Sequence, residues 1–378
     1  MKSFIYLTFI CSSVAVMYLA LNKCASKEGS KSSDSSIQPI TTTNFTSPED
    51  ASKKLSGTAN SILTARILTA RMGTTDGGTN TGSGMSGAPL AHEILLSPHL
   101  KKYTKRLNLK HSDEGNTCEI PTKCDETELL PECESGTAKL ESCKIETNKI
   151  TYTISTNSCK ESEPDDPNTY FIYSGRGTFT QECKEYSFAG TSTLLSQFSV
   201  ALENVKIDIY QQNQKIYEYE FSPNFSISLN SSVEYKNNIL SVIINIVSSG
   251  SAREKDVKGN IEQRSNFDNF KISLSLEYQE GTTEPGFSIS LSGKYSYNTS
   301  TQWCGDGGFE VSTIEPLKFT DARCPNQGKL KLNNAEIRFE GNNIKISVDG
   351  KEESLKCEEF LNSCPYPLKG AFNAVPGT

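Results

Sequence analysis

Cysteine is the residue type best placed to do chemistry in this 378-residue chain, which carries twelve of them. Setting aside Cys11 and Cys24 near the N terminus, ten remain. Cys118, Cys124, Cys133, Cys143, Cys159 and Cys183 form one group, and Cys304, Cys324, Cys357 and Cys364 form another. Both groups are even, the arithmetic expected of disulfides in an exported chain, and the connectivity within each stays open. No Cys-x-x-Cys pair and no neighbouring histidine offers zinc-like spacing, so no metal residue is assigned. Histidine, the commonest general base, occurs only as His92, His99 and His111. Among the carboxylates, the run Glu161-Ser-Glu163-Pro-Asp165-Asp166 has the oxygens calcium takes, but its prolines and missing loop pattern predict a solvated turn. Asp306 stands in a glycine turn, where a solvated carboxylate is expected. Gly84-Met85-Ser86-Gly87-Ala88 sets the second glycine of a nucleophile elbow one place early. Trp303, the sole tryptophan, follows Tyr295 and Tyr297; buried, these rings fill core, and exposed, they could stack on a sugar. No catalytic, cofactor-binding or metal residue is assigned, and no cofactor is expected.

Composition narrows the function classes further. Lys and Arg number 38 against 45 Asp and Glu, a net charge of −7, which lacks the positive field that nucleic-acid phosphates require. A nucleic-acid partner is excluded on that ground. Hydrophobic residues make up 35% of the chain, so part of it is expected to stay unpacked.

The elements that must position these residues change character along the chain. Residues 25–46 are Ser-, Thr- and Lys-rich without apolar periodicity, a flexible tether. Ser47-Pro48-Glu49-Asp50 supplies a cap, a first-turn proline and two acids, so helical segments are expected over 47–111, interrupted by a Gly-rich linker at 72–89. Residues 112–183 form an acidic Cys-rich segment expected to rely on cross-links more than on apolar burial. From 169 to 366 the pattern is two-residue alternation: Phe225, Ile227 and Leu229; Phe270, Ile272, Leu274 and Leu276; Phe287, Ile289 and Leu291, then Tyr295 and Tyr297 beyond Gly293; Ile344, Ile346 and Val348. Such strands have one apolar and one polar face. Turn signals at 211–214, 236–238, 280–281, 306–308 and 341–343 join them. The fold class is mainly β: an antiparallel meander forming an open curved sheet, sandwich or barrel-like body, followed by a tail at 367–378. The pentapeptide Phe-Ser-Ile-Ser-Leu at 225–229 recurs at 287–291, as a duplication or by convergence.

The first 24 residues hold an apolar stretch from Phe4 to Leu21, which reads as a signal peptide or membrane anchor. Leu21-Asn22-Lys23-Cys24 resembles the lipobox of bacterial exported lipoproteins, and that resemblance implies acylation of Cys24. Lys23 stands where the pattern has a small residue, so cleavage near Ala25-Ser26 and an uncleaved anchor stand beside acylation as alternatives. The functional expectation is an exported, lipid-anchored cell-envelope protein, in the outer membrane, periplasm or cell surface, with a disulfide-stabilised β-rich body that binds or scaffolds and does not catalyse. Its partners are the membrane, through the anchor, and an amphiphile, glycan or protein ligand. The competing classes are an outer-membrane β-barrel, whose strands also alternate, and a secreted hydrolase using paired carboxylates from distant strands.

Overall fold

A computed structural model describes residues 39–57, 120–163, 166–188, 191–236, 239–279, 286–319 and 325–364. The expectations for Cys24, the linker at 72–89, Cys118, Cys324, the three histidines and the tail lie outside the described residues.

Two-residue alternation produces what it should: one antiparallel sheet of fourteen strands. The strands are β1 Ser135–Glu146, β2 Lys149–Glu163, β3 Asp166–Phe188, β4 Thr191–Gln211, β5 Gln214–Phe221, β6 Phe225–Lys236 and β7 Ile239–Asp256. They continue as β8 Ile261–Gln279, β9 Gly286–Thr299, β10 Gly307–Phe319, β11 Gln327–Leu332, β12 Ala335–Glu340, β13 Asn343–Val348 and β14 Lys351–Lys356. Neighbours in sequence pair throughout, except that β5 and β6 share the place between β4 and β7. Among the described residues the path is open, with β1 at one end and β14 at the other. The β4–β5 hairpin shows how the turns are coded: Gln212 and Asn213 both take positive φ (50° and 62°), the two-residue turn whose twist matches the flanking strands.

Strand formation begins at Ser135, earlier than the 169 boundary expected from alternation, and draws most of the acidic Cys-rich segment into the sheet. There it has a small core of its own, Leu129, Ile150, Tyr152 and Ile154, in addition to cross-links. The solvated turn expected over 161–168 is corrected at its first residue: Glu161 lies within β2 and is 6% exposed.

The larger core forms where rungs of aliphatic side chains cross consecutive strands. Leu229, Ile246, Ile272 and Leu291 make one rung across β6–β9; Ile244, Leu274, Ile289 and Leu317 make the next across β7–β10. All eight are buried and belong to one cluster with the inward residues of β11–β13. At about 1.5–3 kcal/mol per buried large side chain, such rungs dominate the stability of the sheet. They also bear on the repeated pentapeptide. Leu229 and Leu291 share a rung, but β6 and β9 are three antiparallel steps apart and run in opposite directions. A duplicated hairpin unit must shift by an even number of strands, so a repeated two-strand unit does not account for the identity.

Among the described residues three helical segments accompany the sheet: α1, helical over 48–57, α2 Glu126–Leu129 and α3 Cys357–Asn362. The α1 start matches the expected cap, with the Asp50 amide donating to Ser47 Oγ at 3.2 Å. The tether expectation fails for its last residues. Phe45 is 4% exposed and stacks on Phe309, while Asn334 brackets it, accepting from the Phe45 amide at 2.8 Å and donating to its carbonyl at 3.1 Å. A single large ring with a prepared slot, backed by Ala51 and Leu55, outweighs the polar composition of residues 39–46.

A row of bulges crosses the sheet. One extra residue with positive φ sits in β2 (Ser158), β4 (Asn204) and β8 (Asn269), and each faces a positive-φ glycine on a neighbouring strand, Gly136, Gly175 and Gly293 in turn. The three residues between β5 and β6 sit opposite Gly250 at the same level. At Gly293 the requirement is twofold: φ is +108°, and a Cβ would run into the Asn269 carbonyl. The row divides β7–β9 into an aliphatic wing, which carries the rungs above, and a second wing over 251–268 and 294–299.

Candidate functional site

Beyond the bulge row, the inward positions of the same strands carry polar groups. Register places Tyr219 opposite Glu254, Glu254 opposite Gln263, and Gln263 opposite Thr299, a continuous polar rung across β5, β7, β8 and β9. Its members are 3%, 2%, 0% and 5% exposed, as buried as the aliphatic rungs. Tyr219 donates to Glu254 Oε1 at 3.0 Å. At the other end Thr299 Oγ1 donates to Asp306 Oδ2 at 2.7 Å and accepts the Trp303 amide at 2.9 Å. The adjacent rung places Ser265, 0% exposed, opposite Tyr297.

The loop between β9 and β10 closes this rung. It turns at Gln302, whose φ is +53°, and the Asp306 amide donates back to the Trp303 carbonyl at 2.9 Å. Gly305 lets the Trp303 ring lie flat against the loop, and Gly57 lets α1 approach the same ring. Lys54 of α1 donates to the Asp306 carbonyl, and the Cys304–Cys364 disulfide ties the loop to the end of α3. Where residues 39–41 cross Gly308, these parts leave a cleft of about 680 Å³, lined among others by Asn266, Ser296, Thr299, Trp303 and Asp306.

Asp306 differs from the solvated turn carboxylate expected of it. The turn ends at Asp306, and Gly307 already belongs to β10. Burial pushes its carboxyl above the usual aspartate range, only partly offset by the Thr299 and Trp303 hydrogen bonds and the charge of Lys54. Its Oδ1, and both amide atoms of Gln263, are buried without a hydrogen-bond partner. Trp303, Tyr295 and Tyr297 follow the core expectation at 7%, 1% and 4% exposure. The described lining thus supplies one carboxyl, several amides and hydroxyls, and aromatic edges: groups that hydrogen-bond and pack.

A second concentration of charge lies on the opposite face. Arg253 reaches Glu218 at 3.1 Å, Glu220 at 2.7 Å and Glu262 at 2.7 Å, while Lys215 reaches Asp208 at 2.8 Å and Glu218 at 2.6 Å. Burial works to raise the Glu218 carboxyl, but the Lys215 hydrogen bond and the charges of Lys206, Lys215 and Arg253 outweigh it and hold it at about 2. This lattice is self-satisfied and serves stability.

The disulfide candidates resolve in part. Cys124 pairs with Cys143, Cys133 with Cys159 and Cys304 with Cys364, each pair within its sequence group. Cys183 and Cys357 are also disulfide-bonded. Sequence reasoning missed Gln263, Thr299 and Glu254. The signal was present but masked: the parity of β8 flips at Asp268–Asn269, so counting back from Phe270 turns Gln263 outward, and Glu254 hides in the charged run Arg253-Glu254-Lys255-Asp256. Comparison with protein-family models, with curated proteins and with solved structures gives no match, so the reading of this site rests on its geometry.

Proposed function

We propose that the chain is an exported, lipid-anchored cell-envelope protein whose oxidised β body is a binding platform without catalysis of its own. The observation that carries this reading is the disulfide set: three described pairs plus oxidised Cys183 and Cys357, all in the β body or the segments docked on it. Stable disulfides belong to oxidising compartments outside the cytosol. The apolar stretch from Phe4 to Leu21 supplies the route and Cys24 the anchor. The outer-membrane barrel fits less well, because a membrane-spanning sheet must close and turn an apolar band to lipid. Here the described sheet path is open and the apolar rungs are buried against one another.

Fractionation with thiol mapping tests the proposal. The full chain is expected in the envelope fraction with its ten distal cysteines unreactive to alkylation until reduced, and deletion of residues 4–21 is expected to leave it in the cytoplasm with reactive thiols. Free thiols in the full-length product, or envelope delivery of the deletion, overturn it.

A further inference from the structure

The sheet completes its backbone pairing without residues 39–57: its fourteen strands run from Ser135 to Lys356, and no residue of this N-terminal strap joins a ladder. Several residues of the β body are nonetheless shaped to the strap. A Cβ at Gly308 would collide with the Thr41 carbonyl, and its three nearest atoms would all belong to Thr41 and Ile40, so the bare backbone of β10 at this point is matched to the strap alone. The turn between β11 and β12 supplies two asparagines that read the strap's main chain. Asn333 is fixed to β10, accepting the Glu310 amide at 2.8 Å, and its Nδ2 donates to the Thr43 carbonyl at 2.8 Å. Asn334 accepts from the Phe45 amide and donates to the Phe45 carbonyl, with the Asp349 carboxylate 3.4 Å from the same Nδ2. Asn44, between the two residues so read, is exposed. The Phe45 ring packs on Phe309, and α1 then sets Ala51 and Leu55 into the same core cluster and brings Gly57 against Gly305 and the Trp303 ring. Main-chain hydrogen bonds to groups held in place, with a pocket for one side chain, are how proteins hold extended peptides.

We infer that Gly308, Phe309 and the Asn333–Asn334 turn form a peptide-binding slot whose ligand is this chain's own residues 39–57, a latch that stays closed without covalent continuity through residues 58–119. The ligand it takes is an extended segment bearing a phenylalanine, followed by a helix with small residues on its buried face: Ala51, Ser52 and Ser56 are 0%, 2% and 0% exposed. In one chain the slot and its ligand meet at high effective concentration, so a modest intrinsic affinity keeps the latch closed. The slot goes beyond the binding-platform reading and stands without it. One consequence rests on that reading: in a chain anchored at Cys24, a cut within residues 58–119 leaves the β body attached to its anchor through the strap.

The test uses the purified, oxidised full-length chain with Cys11→Ser and Cys24→Ser, so that no disulfide joins the two pieces, an epitope inserted after Ser35 and a protease recognition sequence inserted after Asn80. After cutting, the epitope is expected to recover the β body. An excess of free peptide 39–57 is expected to release it, and the same peptide with Phe45→Ala is not. Gly308→Ala and Asn334→Ala in the body, and Phe45→Ala in the strap, are each expected to reduce recovery severalfold, while Asn44→Ala leaves it unchanged. Trp303, the sole tryptophan, touches the strap at Gly57, and the peptide carries no tryptophan. Its emission is expected to shift when cut Phe45→Ala protein loses the strap and to return when wild-type peptide is added, which separates an empty slot from an unfolded body. Loss of the body on cutting the otherwise unchanged chain overturns the latch. So does wild-type recovery in both Gly308→Ala and Phe45→Ala, or the failure of wild-type peptide to release the body. Cellular location enters none of these measurements, so a chain found outside the envelope overturns the proposed function and leaves the latch to this test.

Discussion

Strands β7, β8 and β9 each contribute to two regions that differ in kind. On one side of the bulge row they present Ile244, Ile246, Ile272, Leu274, Ile289 and Leu291; on the other they present Glu254, Gln263, Ser265 and Thr299 at the same depth. Backbone pairing, neighbours and burial are alike, so the difference lies in the side chains. The aliphatic wing gains free energy from every inward residue. The polar wing holds groups that must be partnered or leave the fold less stable. The lesson is that one strand can carry an aliphatic core over half its length and a buried polar rung over the other half, with a bulge between to reset parity.

The sharpest way to break this contrast is to put charge into the aliphatic wing. Ile289→Asp or Leu274→Asp is expected to cost about 3–5 kcal/mol, because nothing in either rung can pair it. Ser288→Asp and Ser275→Asp, on the other face of the same strands, are expected to stay within about 1 kcal/mol. Thermal melts of the four variants decide it, and equal losses at both parities would mean that both faces are packed. Next in size is the loop that closes the polar wing. Replacing Cys304 and Cys364 together by alanine opens a link spanning 60 residues. Chain entropy puts the loss at roughly 4 kcal/mol. Hydrogen exchange is expected to rise around 299–308 more than around 270–292; uniform protection would show that the two wings do not unfold separately.

The division itself is tested by Gly293→Ala. Backbone strain at φ +108° and collision with the Asn269 carbonyl predict a loss of about 2–3 kcal/mol. Gly341→Ala, at φ +63° with nothing near its added Cβ, is expected to lose about 1 kcal/mol or less. Denaturant melts compare the two, and equal losses would reduce the bulge row to ordinary turns. The smallest effect belongs to the charge lattice. Glu218→Gln is expected to cost about 1 kcal/mol at neutral pH. Because the folded carboxyl titrates at about 2 against an ordinary 4.5, its contribution is complete above 4.5 and is lost as pH falls from there toward 2. The gap between wild type and Glu218→Gln should close across that window; a constant gap would assign the loss to packing. Asp306 has the opposite sign. Its raised carboxyl weakens the fold once ionised, so acidification down through its folded value recovers stability in wild type and not in Asp306→Asn.

The aliphatic wing was legible in the sequence because strict alternation between Ile or Leu and Ser leaves one register in which the apolar set is buried. The cap at Ser47 and the pairing of Cys304 within its group were legible for equally local reasons. The polar wing was not. A bulge adds one residue and inverts the parity beyond it, and Asn269 looks like any other loop-forming residue until its partner Gly293 is placed across from it. Asp306 was misread because Lys54, which α1 brings to its loop from 252 residues away, has no local signature in the sequence. Phe45 was lost in a polar tether for a similar reason: its slot is built by Phe309 and Asn334, far along the chain.

The bulge row also bears on how such a sheet changes length over evolutionary time. Its extra residues alternate with glycines strand by strand, so the smallest piece that fits is a hairpin with a glycine on one strand and an Asn- or Ser-type bulge on the other. A hairpin of that kind can be gained or lost without shifting the parity of any neighbour, whereas a single added strand would set glycine against glycine and invert every inward residue beyond it. Related chains are therefore expected to differ by whole hairpins, with the polar rung intact wherever the hairpins flanking Gly293 are kept.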